Sequence, residues 1–238
     1  MRIHKIRSKI AIFLFVLAGV FFALPIQAQA GDMVRSGDYR YMELKDGNIV
    51  LYRYLGTDRV LNVPETVDGH TVTAIGSLFL MENDTVEEVV IPDTVTKIYQ
   101  QAFMHKSNLK RIDLGNSIVT IEYQAFFRCG QLESIEIPDT CVSIGTNAFF
   151  KCDSLEEVHI PASVTKLGMS YNSVNPSNVF DGSKNLKKVT IDEDNPKYVC
   201  IDDVIYGKDD NGKPVDVIFS MPRKQERTYT VLDGVTRI

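Results

Sequence analysis

The chain has 238 residues, 44% of them apolar, with 31 acidic residues against 26 basic ones. Residues 1–30 carry four Lys or Arg and no Asp or Glu, which leaves 22 basic against 31 acidic residues beyond them, a net charge of −9. That balance argues against general attraction to nucleic acid or anionic lipid, since both need clustered cations to release counterions; the length fits one or two globular domains or one run of repeats.

The basic start MRIHKIRSK precedes an apolar run from Ile10 to Leu24 and small residues spaced A-x-A at Ala28 and Ala30. This is the pattern of a secretory signal peptide cut before Gly31. The 15-residue run is short for a bilayer core that takes about 20 apolar residues, so no membrane insertion is expected after cleavage. No Cys follows the run to accept a lipid. The protein is expected to be exported, to the periplasm, the cell surface or the medium.

Residues 31–62 read as an N-terminal β cap. Tyr39, Tyr41 and Met42 precede Asp46-Gly47, and Ile49, Leu51, Tyr52 and Tyr54 come after it; DG between β-prone runs signals a hairpin. A unit placed here would cover the open sheet edge and bare core at the start of a repeat array.

From Ile91 to Ile160 the chain repeats every 23 residues without a gap. Ile98, Ile121 and Ile144 are spaced so, as are Ala102, Ala125 and Ala148, Phe103, Phe126 and Phe149, and Leu109, Leu132 and Leu155. A fixed period of this length marks a solenoid, whose units bury their apolar faces only by stacking. The array is expected to occupy residues 63–238. Its first copy, from Val63, carries five extra residues around Asp68-Gly69; the copy from Ile160 takes an eight-residue insertion at about 169–176. Leu-x-x-Ile-x-Ile in each unit reads as a strand with its intervening residues outward. A second short strand ends at Ile98 or its equivalents, and the Ala-Phe pair is expected on a short helical or 3-10 turn. After Ile191 the period breaks. A hairpin insertion over about 195–230 is expected, with a strand from Tyr198 to Tyr206, a polar turn through Asp209–Gly212 and a return strand from Val215 to Phe219. Val231 to Ile238 restart the unit and stop halfway, an uncapped end that invites self-association.

The IPDTVTKI, QAF and NLKRIDL elements, the VDGHTVTAIG entry and the DNPKYVCIDDVIYGKDD segment resemble BspA-like, or Treponema-type, leucine-rich repeat proteins over about residues 39–238. The resemblance implies a right-handed leucine-rich-repeat solenoid with parallel β-sheet, secreted or on a bacterial surface. It also implies binding of other macromolecules, members being associated with adhesion to host matrix and plasma proteins. The brevity of this chain and its interrupted last unit depart from longer members.

Constellations that carry chemistry are sparse. Cys129 and Cys152, one period apart, would sit about 4.8 Å apart on adjacent turns, close enough for a disulfide but poorly aimed for its torsion. The family-like alternative packs each inside the turn after Phe-Phe, a place Lys106 fails to fill. Cys141 replaces Val95 and reads as a small core residue; Cys200 has no evident partner. The four His show no metal spacing, Asp209–Gly212 reads as a turn rather than a calcium loop, and no nucleophile elbow, P-loop or dinucleotide glycine pattern is present. No catalytic residue, metal or cofactor is expected.

The expected function is non-catalytic binding of an extracellular or host protein or glycan. The expected surface is made by the outward strand positions: Glu88 with Val90, Arg111 with Asp113, Ser134 with Glu136, Glu157 with His159 and Lys188 with Thr190. Stacking would bring Asp113, Glu136 and His159 into one column, where Glu136 would favour a charged imidazole on His159. Tyr171 and Asn172 of the insertion form the competing site. The alternative function is a structural or accessory segment, or the remnant of a longer surface protein, with no ligand of its own.

Overall fold

The computed structural model describes residues 32–169, 179–220 and 232–236. Residues 1–30, Tyr171 and Asn172, and Val231 and Ile238 lie outside them. The described chain opens as an antiparallel meander of β1 (Val34–Ser36), β2 (Tyr39–Glu43) and β3 (Ile49–Tyr54). Gly47, at φ +81°, closes the turn between β2 and β3 by donating its N–H to Leu44 O at 3.0 Å. After β4 (Val60–Asn62), the strands β5 (Thr66–Val67) and β6 (His70–Ile75) form a tight hairpin on Asp68-Gly69. Both turn residues have positive φ, the primed geometry that matches strand twist. The extra residues of the first copy are therefore this hairpin, and β3 pairs in parallel with β6 to continue into the repeats.

The repeats supply β7 (Glu88–Val90), β8 (Lys97–Ile98), β9 (Arg111–Asp113), β10 (Thr120–Ile121), β11 (Ser143–Gly145), β12 (Glu157–Ile160), β13 (Lys166–Met169) and β14 (Lys188–Ile191). Strands β6, β8, β10, β11 and β13 pair in parallel in that order. The registers join Ile75, Ile98, Ile121, Ile144 and Leu167 in one row, all buried. A two-residue strand has almost no pairing of its own, so the 23-residue step works because every strand finds the next at the same height.

The described residues contain no helix, which corrects the expected helical or 3-10 turns. The Ala-Phe segments are chains of tight turns. Leu78, Gln101, Gln124 and Asn147 sit at φ between 55° and 59°, and His105, Arg128 and Lys151 between 55° and 61°. A left-handed residue every fourth position stops helix propagation. It also turns alternate amides toward the next repeat: Phe103 N–H donates to Ala125 O, Phe126 N–H to Ala148 O and His105 N–H to Phe127 O, each at 2.8 Å.

The core follows from the same register. Phe103, Phe126 and Phe149 are fully buried and stacked, with centroids 5.1 and 5.3 Å apart and planes within 6°. Phe79 meets the row edge-on and Phe180 extends it across the insertion. Beside this row runs a line of buried polar side chains, Asn83, Lys106, Cys129, Cys152 and Ser183. Each donates to an earlier carbonyl: Asn83 Nδ2 to Gly56 O at 2.8 Å, Lys106 Nζ to Asn83 O at 2.7 Å, Cys129 Sγ to Phe103 O at 3.1 Å, Cys152 Sγ to Phe126 O at 3.2 Å and Ser183 Oγ to Phe149 O at 2.9 Å. Lys106 therefore does fill the place that sequence denied it. Its amine also reaches Asp84 at 3.2 Å. Cys129 and Cys152 are free thiols, spent as donors.

After β14 the expected single strand from Tyr198 to Tyr206 is two, β15 (Tyr198–Ile201) and β16 (Val204–Lys208), folded on Asp202-Asp203 at φ 48° and 61°. Strand β17 (Pro214–Ser220) returns after a turn in which Asp209 Oδ1 accepts the N–H groups of Asn211 and Lys213. Buried Asn195 ties this unit to the stack, its Nδ2 donating to Pro161 O and Val164 O at 3.0 Å. At β13 the Tyr198 hydroxyl accepts the Leu167 N–H at 3.0 Å. In the last half unit, Thr236 N–H donates to Val215 O at 2.8 Å.

The packing sets two expectations. Removing the Phe126 ring, stacked on both sides, leaves a cavity, so Phe126→Ala should cost about 3–5 kcal/mol. Glu122 follows the buried Ile121, and its Oε2 accepts the Gln100 N–H at 3.1 Å while its Oε1 pairs with Lys97 at 2.7 Å; Glu122→Ala should cost about 1 kcal/mol. Urea midpoints measure both, and equal shifts would contradict this register. The second expectation concerns Asp68, which accepts from Ser36 Oγ at 2.7 Å and Tyr41 OH at 3.0 Å and fastens the first hairpin to the second. These bonds hold its carboxyl below the usual range. A depressed folded pKa gives stability that is present above about 3.9, the unfolded value, and is lost as pH falls through the folded value. The midpoint gap between the protein and Asp68→Asn should therefore be open at neutral pH and close in acid; a gap that stays constant would count against the latch.

Candidate binding surface

The expected strand surface exists in two blocks. In the first, β4, β7 and β9 pair in parallel and set Val60, Glu88 and Arg111 in one row and Asn62, Val90 and Asp113 in the other. In the second, β12 and β14 set Glu157 beside Lys188 and His159 beside Thr190. Between them Ser134 and Glu136 are exposed around buried Ile135 and Ile137, but the segment is not a strand and pairs with neither block. The expected column of Asp113, Glu136 and His159 is thus interrupted.

Most charges on this face are spent on one another. Arg111 lies 3.9 Å from Glu88, Lys188 4.0 Å from Glu157, Lys187 2.8 Å from Glu156 and Lys110 3.0 Å from Glu87. Glu87 also pairs with Arg59, and the two cations hold its carboxyl below the usual range. Asp113 Oδ1 accepts the Gly115 N–H at 2.9 Å. His159 is engaged by Asp192, 3.1 Å from its Nε2, and by Thr190, 2.9 Å from its Nδ1, rather than by Glu136. Asp192 follows β14, two residues past Thr190, in the neighbouring unit. Exposed pairs of this kind contribute about 0–1 kcal/mol each and re-partner readily.

The turn face carries what sequence reading missed. Phe127 and Phe150, each following a buried core Phe, stack at 4.8 Å with planes 5° apart and are only half-buried. His105 meets Phe127 edge-on at 5.5 Å, while Arg128 and Lys151 lie 5.4 Å from the Phe127 and Phe150 centroids. Met104 and exposed Met81 hold the same position in the two preceding units. The doubled Phe at one period is the available signal; it stays silent while the segment reads as a helix with one inward face.

Burial pushes Cys129 and Cys141 to about 12, and Cys152 upward as well. Among the described residues no group of His, Cys, Asp and Glu is arranged to hold a metal ion.

The BspA type leucine rich repeat region matches residues 73–197 in six copies. Among solved structures, a leucine rich cell surface protein from Faecalibacterium prausnitzii is 25% identical, with a TM-score of 0.58 over 88% of this chain and 66% of that one. The T. pallidum leucine rich repeat protein is 25% identical, with a TM-score of 0.57 over 66% of this chain and 81% of that one. A leucine-rich repeat protein from Bacteroides ovatus is 27% identical, with a TM-score of 0.54 over 66% of this chain and 46% of that one. This chain thus spans just under two thirds of the Faecalibacterium protein and less than half of the Bacteroides one. No curated protein matches it in sequence. Because the six matched copies run through more than half of its residues and stack in the register described above, the chain belongs to the BspA type leucine-rich repeat family.

Proposed function

We propose that this protein is exported by a bacterium and binds another macromolecule, a protein or a glycan, on the outer surface of its repeat stack, without catalysis. The observation that carries the reading is the register itself: residues 23 apart in sequence become neighbours in space along a regular outer face. Such a face suits an extended partner rather than a small substrate. Support for export comes from the secretory pattern of residues 1–30 and from the Faecalibacterium neighbour, described as a cell surface protein. Among the described residues no helix is long and apolar enough to cross a membrane. In this reading the solenoid is right-handed and the β1–β3 meander closes its N-terminal end.

A second reading, an accessory segment without its own ligand, draws on the mutual pairing of the strand-face charges and on the chain spanning only part of its neighbours. One experiment separates them: capture of extracellular matrix proteins and glycans at two salt concentrations. It uses the protein, a variant with Arg111, Glu136, His159 and Lys188 changed to Ala, and a variant with Tyr171 and Asn172 changed to Ala. The strand-face variant should lose affinity by about tenfold or more and the loop variant should retain it. Loss in the loop variant alone would move the site to the insertion, and capture of nothing at either salt would favour the accessory segment.

A further inference from the structure

The turn face has features of a docking surface that the strand face lacks. Its cations are not paired with carboxylates: among the described residues Arg128 and Lys151 lie over aromatic rings and form no ion pair, whereas Arg59, Lys110, Arg111, Lys187 and Lys188 on the strand side all do. Its apolar groups are presented rather than buried. Met81 is 57% exposed, and Phe127 and Phe150 stand outward next to Phe126 and Phe149, which are fully buried. The surface is also rigid. Arg128 donates its N–H to Phe150 O at 2.7 Å and Lys151 to Asp181 O at 2.9 Å, and both hold left-handed backbone that these cross-repeat bonds fix in place. A surface ordered before binding spares the partner that cost.

Geometry selects the occupant. Phe127 and Phe150 each cover one face of the other, and Arg128 and Lys151 lie over the Phe127 and Phe150 rings, so neither ring offers a sugar an unshared face. Ring edges carry the positive part of the quadrupole, and with Arg128 and Lys151 alongside they favour carboxylates. The step along the stripe is 4.8 Å, the ring spacing of the Phe127–Phe150 pair. Helix residues three or four apart rise about 4.5–6 Å, whereas same-face residues of a strand lie about 6.6–6.8 Å apart. A helix laid along the stripe therefore keeps step and a strand does not. The two cations beside this stripe, on a chain with a surplus of acid, are too few for a nucleic acid or an anionic bilayer.

We infer that Met81, Met104, Phe127 and Phe150 form a docking stripe for an amphipathic acidic helix of a partner protein. Apolar residues of that helix at i, i+3 or i+4, and i+7 rest on the stripe, and acidic residues on its flank meet Arg128 and Lys151. The inference rests on the macromolecular-binding reading but places the contact on another face of the stack.

The probe is a synthetic peptide with Leu at helical spacing and Glu along one flank, followed by fluorescence anisotropy against the purified protein. Binding should weaken by about tenfold or more in Arg128→Glu/Lys151→Glu, weaken with salt, and stay within about twofold in Arg111→Ala/Lys188→Ala. Circular dichroism establishes that each variant is folded. Equal binding of the same residues in scrambled order, equal loss in the strand-face variant, or binding of phosphatidylglycerol vesicles in place of the peptide would each overturn the inference. None of these outcomes bears on the matrix-capture result with the strand-face variants, so the two readings fail separately.

Discussion

Every repeat of this protein satisfies its backbone on its neighbours. Strands of two residues, such as Lys97–Ile98 and Thr120–Ile121, have no stability alone, and the tight turns between them point half of their amides out of the unit. The 23-residue step makes these groups meet. Once the step is kept, everything else falls into rows: Ile on Ile in the sheet, Phe on Phe in the core, donor under carbonyl beside it. The phenylalanine row then adds about 0.5–1.5 kcal/mol per stacked pair beyond the area it buries. Change in one side chain is therefore felt by two repeats, and loss of the step would be felt by all.

The parts of this architecture legible in the sequence are those fixed by repetition of apolar residues. Ile98, Phe126 and Leu132 announce their burial by their period, and Asp46-Gly47 announces its turn. The hidden parts depend on backbone conformation that ordinary residues do not advertise. Gln101, His105, Gln124 and Arg128 adopt left-handed φ without being glycine, because cross-repeat hydrogen bonds over-determine the turn. Asp202-Asp203 does the same between β15 and β16. Lys106 escapes sequence reading because a cation in the core is costly in general, and only the stacked structure shows the Asn83 carbonyl waiting for its amine.

The candidate surface is legible in its alternation but not in its electrostatics. Alternation places Arg111, Glu157 and Lys188 outward, as they are. It cannot say that Glu88, Glu157 and Asp192 already occupy Arg111, Lys188 and His159, because those partners come from neighbouring units. The two faces of the stack consequently differ in kind. On the strand side the cations meet carboxylates of neighbouring units; on the turn side Arg128 and Lys151 stand over aromatic rings instead.

The line of buried donors has a consequence for how such a protein changes over generations. Asn, Lys, Cys and Ser take the same place, so what each unit must contribute is a proton reaching some earlier carbonyl, that of a core Phe for Cys129, Cys152 and Ser183 and that of Asn83 for Lys106, not a particular residue. A whole 23-residue unit of the Cys129 or Cys152 kind, duplicated or deleted in the gene, would present its new neighbours with an equivalent Phe carbonyl and an equivalent donor. Units are interchangeable cassettes for the fold, which leaves their outward residues free to diverge.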